Sequence, residues 1–103
     1  MTQGTTPSFI LKFSKDLNFD DVEIFYITLQ SKCNEITHNS EEECVTVDAE
    51  NNRLLITLTQ EETLSFKEGE ADLQVRGKFL DTTAFATGVK KVPVNRALYQ
   101  EVI

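Results

Sequence analysis

NNRLLITLTQEETLSFKEG, residues 51–69, decides how this 103-residue chain folds. It opens on a tight-turn dipeptide, Asn51-Asn52, and runs into an alternating segment with Leu54, Ile56 and Leu58 on one face and Leu55, Thr57 and Thr59 on the other. Side chains of a strand point alternately to its two faces, so the first trio is committed to a core. The spacing then changes. Thr59 and Glu62 stand three residues apart, the offset of a capping box, in which hydroxyl and carboxylate each accept from the other's unpaired backbone N–H. Leu64 and Phe66 close a short helical turn over Gln60–Phe66, and Glu68-Gly69 breaks it. A strand, one helical turn and a second strand in so few residues predict a link between two packed layers.

Upstream, a two-residue turn at Asn51-Asn52 would pair Val47 with Ile56, Thr46 with Thr57 and Val45 with Leu58, a register that agrees with the face pattern. Downstream, EADLQVRGKFL (residues 70–80) alternates cleanly: Ala71, Leu73, Val75 and Phe79 inward, Asp72, Gln74, Arg76 and Lys78 outward. Gly77 falls on the inward face, where a bulge or a close backbone approach is expected. Asp81 to Thr83 reads as a turn, and Ala84 to Val94 as one further strand with Pro93 at an edge or bulge. Ala97 to Ile103 reads as a last helical turn or a tail.

Nearer the start, residues 1–7 are polar with Gly4 and Pro7 and read as a flexible arm before a single domain over residues 8–103. SFILKF places Phe9, Leu11 and Phe13 on one face of a first strand, with Ile10 opposite. Lys15 to Asp21 is a polar loop anchored by Leu17 or Phe19. Val22 to Lys32 is the longest β-rich run, apolar on both faces in its middle, which suggests a strand inside a sheet or between layers. Cys33 to Cys44 carries a turn signal, His38-Asn39-Ser40. A two-residue loop at His38-Asn39 would set Thr37 opposite Ser40 and Cys33 opposite Cys44. About seven short strands and one helical turn predict an all-β, immunoglobulin-like sandwich.

Ten basic residues against seventeen acidic leave a net charge of −7, which disfavours nucleic acid and anionic membrane as partners. A basic protein partner, or mimicry of a polyanion, fits that balance. The amino-terminal MTQGTTPSFILKF lacks the basic start and apolar run of a signal peptide, and no apolar stretch approaches the ~18 residues that span a bilayer. The expectation is therefore a chain that begins as an intracellular product.

Chemistry-bearing residues are few. Cys33, His38, Cys44 and one of Glu41, Glu42 or Glu43 sketch a metal site, but no C-x-x-C spacing supports it and a histidine at a turn tip faces water. The register that sets Cys33 opposite Cys44 would allow a cross-strand disulfide, but without a signal peptide the default is reduced thiols. The carboxylate runs Asp20-Asp21, Glu41-Glu42-Glu43 and Glu61-Glu62 sit in loops and at a helix start, where water and the helix dipole keep them ionised. No phosphate loop, nucleophile elbow or zinc-helix motif occurs. The reading is of a non-enzyme with no cofactor and no metal.

Three pieces together resemble a group of small proteins encoded in phages and prophages of Firmicutes and other gut bacteria. They are the arm Gly4-Thr5-Thr6-Pro7 before a first strand, the segment ITLTQEETLSFKEG (residues 56–69), and ADLQVRGKF (residues 71–79) followed by a turn, a strand and a short tail. The resemblance implies a virion or tail-region β-sandwich, similar to the amino-terminal domains of baseplate proteins, with no enzyme activity. It leads to the expectation of a structural or adaptor protein of the virion, built from contacts with other phage proteins or with a second copy. The alternative is a small acidic inhibitor of a host defence or regulatory protein. Candidate partner-binding residues are Glu41, Glu42, Glu43, Asp20, Asp21, Thr5, Thr6 and Pro7.

Overall fold

Alternation along the sequence becomes alternation in burial. A computed structural model describes residues 1–103. Its longest strand, β6 (Gly69–Phe79), buries Ala71, Leu73, Val75 and Gly77 and exposes Arg76 and Lys78. The other strands are β1 (Ser8–Lys12), β2 (Val22–Gln30), β3 (Glu35–Asn39), β4 (Val45–Asp48), β5 (Arg53–Thr57), β7 (Ala84–Ala86) and β8 (Lys90–Val94). One sheet has the order β1-β5-β4, and the other the order β3-β2-β6 with β7 and β8 end to end along the free side of β6. All of these pairings are antiparallel. The fold is thus an all-β, two-sheet sandwich of the expected class, with eight strands.

The two sheets meet over Leu54, Ile56 and Leu58 from one side and Phe25, Ile27, Leu29, Leu73 and Val75 from the other. Each such side chain contributes about 1.5–3 kcal/mol by leaving water. The helical turn α1 (Gln60–Ser65) carries the chain from β5 in one sheet to β6 in the other, as its sequence predicts. Its capping box is complete. The Thr59 hydroxyl accepts from Glu62 N at 3.2 Å, and Glu62 Oε1 accepts from Thr59 N at 2.9 Å. Phenylalanines of this core and packed against it form a row, Phe13–Phe19–Phe25–Phe85–Phe79, with neighbouring ring centroids 5.0 to 6.1 Å apart. Phe19 is the loop anchor.

Several expectations need correction. The β4–β5 hairpin pairs Val45 with Ile56 and Val47 with Leu54, so the loop is the four residues Ala49 to Asn52, two longer than expected. A shift of two keeps every side chain on its face, which is why the hydrophobic pattern could not detect it. Asp48 stabilises the longer loop by accepting from Asn51 N (3.3 Å), Asn51 Nδ2 (3.0 Å) and Arg53 Nε (2.7 Å). Asn52 takes a positive φ of 49°, and its side chain donates to the carbonyls of Ser14 and Leu17.

The predicted hairpin between Cys33 and Cys44 does not form. The chain turns earlier, at Ser31 to Asn34, and β3 pairs with β2, setting Thr37 opposite Thr28 and His38 opposite Ile27. Cys33 is left exposed in that turn, far along the chain from the half-buried Cys44, and both thiols are free. The segment from Ala84 to Val94 is two strands, broken where Thr87 turns its hydroxyl to accept from Val75 N at 3.0 Å. Strand β2 is central in its sheet but buries one face only, since Tyr26 on the other is 42% exposed.

Residues 1–7, read as a flexible arm, are docked on the body. Thr2 bridges Asn95 in parallel, and Gln3 is buried. The Gln3 side chain donates to the Phe66 carbonyl at 2.6 Å and accepts from Ala97 N at 3.1 Å. Each buried amide group so satisfied avoids a desolvation cost of about 1–3 kcal/mol.

Candidate functional site

Strand alternation, not a turn, sets the position of the one histidine. In β3, Glu35 and Thr37 are exposed, while Ile36 and His38 share the inward side. Because β3 is an edge strand, the His38 ring lies at the rim between the layers, with its side chain 17% exposed.

Two further segments converge on this ring. After β3 the chain folds back in a tight turn in which Glu42 N donates to the Asn39 carbonyl at 3.1 Å and Glu41 N to Asn39 Oδ1 at 2.9 Å. That turn delivers the Glu42 carboxylate to His38: Oε1 lies 2.8 Å from Nδ1, and Oε2 accepts from Asn39 N at 2.5 Å. From the opposite side, Glu62 of α1 splits its two oxygens. Oε1 completes the capping box, and Oε2 bonds to His38 Nε2. Cys44, just before β4, adds its sulfur: the ligating atoms of His38, Glu42 and Cys44 all lie within 4.8 Å of one another.

The protonation state follows from donor counting. An ionised carboxylate only accepts hydrogen bonds, and a neutral imidazole has one N–H. A ring bonded to carboxylates through both nitrogens is therefore an imidazolium. Burial, the largest single influence on the ring, disfavours that charge, but hydrogen bonds to Glu42 and Glu62 together outweigh it and raise the His38 pKa above its ordinary value. The Glu42 carboxyl is lowered by its bonds to His38 and then to Asn39 N. Burial pushes Glu62 up, but Thr59 N and His38 bring it below the ordinary glutamate value. Burial, followed by the charges of Glu42 and Glu62, raises the Cys44 thiol and keeps it protonated. The set is a cation held between two anions beside a neutral sulfur.

The sequence sketched a group of Cys33, His38, Cys44 and one of Glu41 to Glu43 without selecting Glu42, and set it aside because it placed the histidine at a solvent-facing turn tip. The structure corrects this, removes Cys33 from the set and adds Glu62, which had been explained by its cap alone. The alternation Glu35-Ile36-Thr37-His38 was the available signal for an inward-facing ring. The contact with Glu62 had no signal, because 24 residues separate the partners.

The remaining candidates do not join this group. Glu41 and Glu43 are exposed on either side of the inward-turned Glu42. Asp20 and Asp21 are exposed in a 3-10 turn (Phe19–Asp21) that Asn18 caps by accepting from Asp20 N at 3.1 Å. Thr5 and Thr6 are exposed while Pro7 is half-buried. Their backbone serves the body, with the Thr5 carbonyl accepting from Thr63 Oγ1 and the Pro7 carbonyl from Leu58 N, both at 3.0 Å. A separate feature was invisible as a site in the sequence: Leu98, Tyr99, Val102 and Ile103 are all largely exposed.

No helix is long and apolar enough to cross a membrane. Comparison with protein-family models, curated proteins and solved structures finds no match to this chain.

Proposed function

We propose that the protein is a docking component, a structural or adaptor protein of a phage particle that works through protein–protein contacts. The observation that carries this reading is the segment from Ala97 to Ile103. Leu98 is 93% exposed, Tyr99 67%, Val102 51% and Ile103 87%, an apolar run of the kind that marks a contact surface. The segment is also positioned. Gln3 Oε1 accepts from Ala97 N and from Gln100 Nε2, and the Gln60 side chain exchanges two hydrogen bonds with the Ile103 backbone at 2.9 and 3.1 Å. Holding a contact segment in place before binding lowers the ordering entropy that association costs.

The occupant of this surface is a neighbouring protein of the particle offering an apolar groove. The phage context rests on the family resemblance of the arm, the segment 56–69 and the strand after it.

Mass spectrometry of purified particles from a phage that encodes the protein tests this. The expected result is the protein at a fixed copy number, with the double variant Leu98→Ser, Tyr99→Ser keeping its melting temperature but dropping out of the particle. Expression in infected cells with absence from particles overturns the reading. If Glu41→Lys with Glu43→Lys alone abolishes binding to a host protein, the acidic-inhibitor alternative takes its place.

A further inference from the structure

We propose that His38 Nδ1, the Cys44 thiolate and the Glu42 carboxylate form a binding site for a divalent transition-metal ion of the zinc type, with Glu62 as the residue that orients the histidine. The donor set is one nitrogen, one sulfur and one oxygen. That combination suits borderline-soft Zn²⁺ and its tetrahedral geometry, and not the all-oxygen shells of Mg²⁺ or Ca²⁺. The three donors come from β3 and from the turn that follows it, and converge within 4.8 Å.

The second independent observation is on the far side of the ring. A metal-ligating histidine nearly always gives its other N–H to a carboxylate or carbonyl, which fixes the tautomer and raises the basicity of the ligating nitrogen. Glu62 Oε2 makes that contact with Nε2, and Glu62 is itself held in place through Thr59 N. Glu42 is held in the same way by Asn39 N. Both carboxylates are thus anchored by backbone donors before any ion arrives.

In the ion-free protein, the proton on Nδ1 points at Glu42 Oε1, close to where the cation would sit. Binding replaces that proton. The ion forms bonds to Nδ1, Sγ and a Glu42 oxygen, and the Nδ1 and thiol protons leave to solvent. Metal–nitrogen, metal–oxygen and metal–sulfur bonds of about 2.0–2.3 Å set tetrahedral donors about 3.3–3.6 Å apart. Nδ1 and Glu42 Oε1, 2.8 Å apart, therefore move apart to admit the ion while the Cys44 sulfur closes in, a movement of side chains and of the short turn carrying Glu42 and Cys44. A fourth position is left for water or for a side chain of a docked partner.

The test uses the full chain, reduced and chelator-stripped, titrated with Co²⁺ as an optical probe and with Zn²⁺ in competition. One equivalent of Co²⁺ should bind, with the charge-transfer absorption of a thiolate–cobalt bond, and Zn²⁺ should abolish that absorption. Cys44→Ser should remove the band while leaving the fold intact by circular dichroism, and Cys33→Ser should leave the band unchanged. Glu62→Gln, which keeps an oxygen for Thr59 N but loses the charge on His38, should weaken Co²⁺ binding by about 10–100-fold without removing the band. The absence of a thiolate band, or a band that survives Cys44→Ser or disappears in Cys33→Ser, overturns the proposal.

Discussion

Replacing Gly77 with alanine tests the packing of the phenylalanine row in the core. Gly77 lies on the inward face of β6, directly opposite Phe85 of β7, and the Phe85 ring covers it. A Cβ at position 77 would stand 2.3 Å from Phe85 Cε1 and 2.4 Å from Cζ. Restoring ordinary contact, 3.4 Å or more, moves the ring by about an ångström, away from its packing on Phe79 at 5.0 Å and Phe25 at 6.1 Å. Overpacking of this kind costs about 1–3 kcal/mol. The φ of Gly77 is not in the left-handed region, so alanine is not strained there and recovers about 0.5–1 kcal/mol of backbone entropy. The expected net loss is about 1–2 kcal/mol, or about 5–10 °C in melting temperature for a domain of this size.

The assay is a double-mutant cycle by urea and thermal denaturation of the wild type, Gly77→Ala, Phe85→Ala and the double variant. Phe85→Ala alone should cost less than the ~3–5 kcal/mol of a fully buried phenylalanine, because the ring is half-buried. In that background the added methyl has nothing to strike, so Gly77→Ala should become neutral or stabilising. The coupling between the two sites should then be about 1–3 kcal/mol. A loss that persists undiminished without the ring, or no loss in the wild type, refutes the steric account.

Two other perturbations probe the corrected parts of the fold. Gln3→Ala removes the bonds to Phe66 and Ala97 and should cost about 1–3 kcal/mol, with faster amide hydrogen exchange at Ala97 read by NMR; unchanged exchange there would show that residues 97–100 are held by something else. Asp48 is lowered below the ordinary aspartate value by its hydrogen bonds to Asn51 and then Arg53. The stability it lends to the β4–β5 loop is therefore fully present above the unfolded aspartate pKa and lost as pH falls through the lower folded value. A carboxyl NMR titration should place its midpoint below that of a reference aspartate, and Asn51→Ala should bring it back toward normal.

What the sequence determined by itself was local or periodic. The Thr59–Glu62 cap depends on an offset of three, and the faces of β5 and β6 depend on a period of two; both survive into the structure because neighbouring residues alone impose them. The place of Gly77 on the apolar face was legible for the same reason, but the bulge or close backbone approach expected there is instead the Phe85 ring lying over the bare Cα. Tertiary structure decided everything that a period of two cannot register. A hairpin slipped by two residues keeps its faces, so only Asp48 and Asn52 closing a four-residue loop select the register. The pairing of β3 with β2, in place of a hairpin through His38-Asn39, turned the histidine inward. The meeting of His38 with Glu62 depends on two layers closing on each other, a contact that no spacing along the chain encodes.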